Sequence, residues 1–233
     1  IRHGAPRAEL NRRYLEHLHE GKNRGTTPIV VALNPTLLGT IENNVSLRTL
    51  TPVQDLTADT IKRYAHDLLT DQHHYVDQFG VEVAAHEAFR RLNENAYRQT
   101  YCRLMKNGEL DEEDIGTPLK AEYPFELTAG IINEKVKSTD IDSAAELLIM
   151  DLPLRDASGV FAYLPFGGWD SSPSPETLLL IALYWLERDD AYPAVIASDF
   201  IEFYTPVPVA TRRDAEILAV EHTMVSSAMP VRV

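Results

Sequence analysis

The residues best suited to chemistry in this chain are four acids near its C-terminus, Asp170, Asp199, Glu202 and Glu221. Carboxylates that meet in one cleft split their pKa values for acid–base work, or hold a hard divalent cation through oxygen ligands. A plainer reading puts Asp199 in a turn, where Asp is favoured, and Glu202 on the solvent side of an edge strand. On the last helix Ala215, Leu218 and Ala219 form the apolar stripe, with Glu221 at its rim and His222 near its centre. Gly167-Gly168-Trp169 precedes Asp170, and its glycines permit close backbone approach. It reads either as a ligand pocket with Trp169 as wall and Asp170 nearby, or as a tight turn whose indole plugs the core.

Other candidates carry less. His66, Thr70, His73 and Asp77 share one helical face that zinc can use only with a ligand from elsewhere, and a solvated face explains them more simply. His86-Glu87 is no zincin motif, because position 90 is Arg. Asp111–Asp114 lacks the alternating ligands of a calcium loop. Ser171-Ser172 lacks the nucleophile elbow, Cys102 has no catalytic signature around it, and no phosphate-loop glycine pattern occurs. No metal ligand set and no cofactor is assigned.

These residues need a frame. The chain has 233 residues, 44% hydrophobic and 24% charged, enough to bury a core without staples. One cysteine excludes an internal disulfide framework and fits a reducing cytoplasm. No stretch approaches the ~18 apolar residues of a membrane span. The net charge of −13 opposes nucleic-acid binding, since the basic group Arg7, Arg12, Arg13, Lys22 and Arg24 is interrupted by Glu9, Glu16 and Glu20.

Spacing predicts a helix over 6–22 with Leu10, Tyr14 and Leu18 on one stripe, then a strand over Thr27–Leu33. A short helix over about 36–43 follows. Thr57 caps the next helix, which Gly80 ends, and another runs over about 83–105. Asn107–Pro118 is an acidic loop within one domain, and the place where the chain would divide if it formed two. Leu147–Leu152 is a buried strand; Val160–Phe166 fits strand or helix equally. Ser174-Pro175-Glu176 opens a helix that is apolar nearly all round. Ala194–Ala197 and Phe200–Tyr204 form two strands about a tight turn, and Thr211 with Asp214 marks a capping box for the last helix.

One ordered series stands out over about 147–230: the apolar strand, Phe161-Ala-Tyr-Leu-Pro-Phe-Gly-Gly-Trp169, Pro173, Tyr184-Trp185, Asp199 with Glu202, then Ala215, Leu218-Ala219 and Glu221. It resembles the bacterial family catalogued as domain of unknown function 4253, and Pro28–Leu38 adds weaker support. Where that family often has Asn and Cys, this chain has Asp170 and Ser172, and Ser227-Ala228-Met229-Pro230 stands for its Cys-Pro-Asp. Any redox or metal role of the family cysteines is therefore closed to this chain.

The expectation is a single α+β domain over 1–233, with a mixed β-sheet packed by several helices and a helical N-terminal half. The leading functional expectation is a non-enzymatic cytoplasmic protein that binds a protein partner or a small ligand, with Gly167, Gly168, Trp169 and Asp170 lining any pocket. Its rival is an enzyme using Asp199, Glu202 and Glu221, with a divalent metal as an option. A third reading, a structural subunit of a homo-oligomer, requires an exposed apolar patch.

Overall fold

A computed structural model describes residues 7–107, 131, 146–168, 172–198, 200–225 and 231–232. The architecture is α+β. Helix α1 (Arg7–Arg24) leads into strand β1 (Thr27–Leu33), followed by α2 (Pro35–Thr49), α3 (Ala58–Phe79) and α4 (Val81–Leu92). Asn34 caps α2 by accepting from Leu37 N at 2.8 Å, and Thr57 caps α3 by accepting from Thr60 N at 3.2 Å. These caps satisfy amides that have no partner inside the helix. The single helix expected over 83–105 is broken. Asn93 ends α4 and caps a short turn α5 (Glu94–Ala96), which passes through a π-helical turn (Tyr97–Tyr101) into α6 (Cys102–Asn107). The side-chain oxygen of Asn93 accepts from Ala96 N, a local bond that competes with helix continuation.

The acidic loop expected over Asn107–Pro118 lies outside the described residues, Asn107 apart. Strand β2 (Glu146–Leu152) follows, then a 3₁₀ turn (Ala157–Gly159) and the short α7 (Val160–Tyr163). The segment that fitted strand or helix is therefore helical over its first four residues and irregular over 164–166; the turn before it is opened by Asp156, whose carboxylate accepts from Ser158 N at 2.9 Å. The remaining elements are α8 (Pro175–Asp189), β3 (Tyr192–Ile196), β4 (Ile201–Tyr204), α9 (Arg212–Val225) and β5 (Val231–Arg232).

The strands form one mixed sheet in the order β2-β1-β3-β4-β5. β1 pairs antiparallel with β2 from Thr27↔Leu152 to Leu33↔Glu146, and parallel with β3 on its other side. Such a central strand is covered on both faces, which is why Pro28-Ile-Val-Val-Ala shows no polar alternation. Ile29 and Val31 point to the larger core, with Phe89, Phe161, Trp185 and Met224. Val30 and Ala32 point the opposite way, towards Leu10 and Tyr14 of α1. α1 thus covers one face of the sheet, while α3, α4, α7, α8 and α9 contribute to the core on the other.

The Gly167-Gly168 turn is locked into this frame. Both residues have positive φ, +92° and +86°, and Gly168 N donates to Pro173 O at 2.9 Å. Asn44 Nδ2 of α2 donates to Pro165 O and Gly167 O, each at 2.8 Å. A Cβ at Gly167 would lie 2.1 Å from Pro173 O. Gly167→Ala is expected to cost about 3 kcal/mol or more in urea unfolding, from backbone strain and steric overlap together. Gly39→Ala, inside α2 with nothing within 4 Å of the added methyl, should instead stabilise by about 1 kcal/mol.

Candidate functional site

Helix α9 begins with the expected cap: Asp214 N donates to Thr211 Oγ1 at 3.1 Å. Its buried face is wider than the sequence stripe, running through Leu218, Ala219, Val220, Glu221 and His222 without a break. Glu221 is therefore not at a rim. It is 0% exposed. A carboxylate taken out of water costs several kcal/mol unless paired and hydrogen-bonded, and here the donors are present. Arg188 of α8 grips it with two nitrogens, Nη1 to Oε1 at 2.6 Å and Nη2 to Oε2 at 2.8 Å. Trp185 Nε1 donates to Oε2 at 2.8 Å, and Tyr101 OH, from the π-helical turn, donates to Oε1 at 3.1 Å. Tyr184 OH accepts from Arg188 at 2.8 Å and reaches Oε1 at 3.5 Å.

The electrostatics follow from this packing. Burial, then the Glu221 charge, pushes the Tyr101 and Tyr184 phenols upward, so both remain proton donors. Burial opposes the charge on Arg188, but its hydrogen bonds to Glu221 and Asp189 prevail and raise its pKa. His86 Nε2 lies 3.1 Å from Tyr101 OH, and burial lowers its pKa. His222 sits against Trp185, ring centroids 4.9 Å apart. Burial, then Arg188, pushes His222 down to about 3, and its buried Nε2 has no hydrogen-bond partner among the described residues. Chemically the cluster is a saturated carboxylate brace joining α8, α9 and the π-helical turn.

Glu202 is elsewhere. Ile201 and Phe203 of β4 face the larger core, so Glu202, between them, faces the side of α1. It is 5% exposed, and its charge raises the pKa of Tyr14 on that helix, after burial. Glu202 and Glu221 thus lie on opposite faces of the sheet. Glu202 is also buried, not solvent-facing. Asp199, Trp169 and Asp170 lie outside the described residues. His66, His73 and Asp77 are all exposed on α3. Among the described residues no three His, Cys, Asp or Glu side chains gather as a metal would require, and no helix is long and apolar enough to cross a membrane.

A different site is built where α1 ends. A cavity of about 400 Å³ lies between the end of α1, the start of β1, the segment after β2 and Tyr192 of β3. Its lining includes Leu18, Lys22, Arg24, Thr27, Arg155 and Tyr192, and among the described residues no carboxylate side chain. Tyr192 OH donates to Asp190 at 2.6 Å, which fixes the ring, and Lys22 Nζ stands 5.3 Å from the ring centre. Burial, then that hydrogen bond, raises the Tyr192 phenol to about 12. Gly25, at φ +69°, lets the chain turn out of α1, and Arg155 rests on it. A Cβ there would lie 3.4 Å from Arg155 Cγ and Nε. Lys22 and Arg24 were visible in the sequence as a basic group; Arg155 and Tyr192 carried no signal there. For the carboxylate brace, the Tyr184-Trp185 pair and Arg188 one turn later were the available clue, whereas Tyr101 and His86 were not.

Residues 148–231 match the family model described as Domain of unknown function (DUF4253), about the C-terminal third of the chain. No curated protein and no solved structure matches the chain. The matched region supplies Trp185, Arg188 and Glu221, but Tyr101 and His86 come from outside it. Similarly, it supplies Arg155 and Tyr192 to the cavity while α1 supplies Lys22 and Arg24.

Two outcomes are expected of the brace. Glu221→Ala should lose about 3–5 kcal/mol in urea unfolding, because Arg188 loses its buried partner and is left with Asp189. The Glu221→Ala/Arg188→Met double variant should recover part of that loss. His222 gives a pH signature. Its folded pKa of about 3 lies below the ~6.5 of an unfolded His, so between these values the unfolded chain binds more protons. The contribution is full above pH ~6.5 and falls on acidification by up to about 1.4 kcal/mol per unit. Urea midpoints at pH 7 and pH 5 should differ more for the natural chain than for His222→Leu.

Proposed function

We propose that this chain, with its DUF4253 region, is a cytoplasmic bacterial binding protein without a reaction of its own, and that it binds a small molecule in the cavity at the end of α1. The observation that carries the reading is the cavity itself. Its volume falls within the range of small-molecule sites, about 300–1,000 Å³, and an aromatic ring held by its own hydrogen bond forms one wall. Three separate segments meet there, residues 18–27, 155–157 and Tyr192, so the site is a product of the folded frame and not of one loop.

The separation of the acids adds support. An enzyme using Asp199, Glu202 and Glu221 needs its carboxylates in one cleft, and two of them are divided by the sheet. Glu221, moreover, is committed to Arg188, Trp185 and Tyr101. The charge of −13 and the capture of Arg12, Arg13 and Arg24 by glutamates on α1 argue against a nucleic-acid partner. A single cysteine, Cys102, suits a reducing compartment.

Native mass spectrometry of the protein after incubation with a bacterial metabolite extract tests this. A small-molecule adduct is expected on the natural chain and should be lost from Leu18→Trp, in which the larger ring occupies the cavity. An adduct that survives that substitution, or none on either protein, sinks the proposal.

A further inference from the structure

We infer that the cavity selects an anionic small molecule, one carrying a phosphate or carboxylate group, a step that rests on the binding reading above. Lys22 and Arg24 alone would not argue this. Basic residues in the last turn are what any helix favours, because its exposed carbonyls present partial negative charge. Arg24 is in any case held by Glu20 at 2.9 Å.

Arg155 changes the balance. It arrives from the segment after β2, lies against Gly25 through its Cγ and Nε, and lines the cavity. Neither Arg155 nor Lys22 is paired with a carboxylate among the described residues. Asp156, the nearest acid in sequence, is turned back to Ser158, accepting from both its N and its Oγ. Asp190 is occupied by the Tyr192 hydroxyl. Two cations without a carboxylate partner among the described residues, in one recess of a chain with net charge −13, leave the cavity electropositive against the rest of the surface. A guanidinium fork offers paired N–H donors to an oxyanion, and an ammonium adds a point charge that can turn to meet it. Tyr192 and Leu18 supply apolar surface for the body of the ligand.

Three size-matched probes separate the questions: phenyl phosphate, benzamide and benzylamine, titrated into the full chain with amide chemical shifts as readout. Phenyl phosphate should move the Lys22, Gly25 and Tyr192 signals and bind at least about tenfold more weakly to Arg155→Met or Lys22→Met. Arg155→Lys should keep part of the affinity. The Met variants preserve the packed stems, and their unchanged spectra without probe would confirm folding. If benzamide or benzylamine binds there as well as phenyl phosphate does, the anion inference is overturned while the cavity stands as a binding site. If no probe moves those signals, both readings fall.

Discussion

A carboxylate with no exposed surface sets the terms for the C-terminal half of this molecule. Glu221 of α9 remains in the core only because Arg188, Trp185 and Tyr101 all donate to it, and those donors come from α8 and the π-helical turn. The brace links elements far apart in sequence. It also constrains its surroundings, since Trp185 must present its indole N–H to α9 while its ring packs edge-on to Phe203 of β4, centroids 5.0 Å apart. Saturating the carboxylate and filling the core are therefore one packing problem. The brace gives this layer a fixed geometry, and the same saturation removes Glu221 from consideration as a free acid.

The sheet makes the second division. β1 lies between β2 and β3 and is buried on both sides, so the described residues form two cores that share a backbone but no side chains. The alternation of side chains along β4 then sends Glu202 to the core that contains Tyr14, while Ile201 and Phe203 go to the other. Residues that lie close in sequence within the family-like series are in this way divided between two environments. The edge of the α1 side, where the helix ends and the chain turns at Gly25, is where the remaining charge of the region collects around a recess.

Much of the frame was legible from sequence because it depends on local physics. Thr57, Ser174 and Thr211 start helices by offering an oxygen to a free amide, and such bonds span only three residues. The unbroken apolar run of β1 announced a strand. Less was legible where two local preferences competed. Asn93 interrupts what periodicity presents as one helix, because its side chain captures a backbone amide. The seven residues from Val160 carried no decisive period; with Asp156 capping the turn before them, the first four are helical.

For the sites, sequence determined chemical identity and the fold decided partnership. It put Glu221 on the last helix beside an apolar stripe, placed Tyr184-Trp185 on a buried helix, and marked Lys22 and Arg24 as a basic group. The tertiary structure carried Glu221 from the rim of that stripe into a pocket of donors, brought Tyr101 to it from another segment, and set Glu202 behind the sheet. It likewise joined Lys22 to Arg155 and Tyr192, more than a hundred residues away. The physical reason is common to all three. A cap or a periodic stripe is settled within a few residues, but the cost of burying a charge, or the field of a recess, depends on groups that only the packed sheet and helices bring into contact.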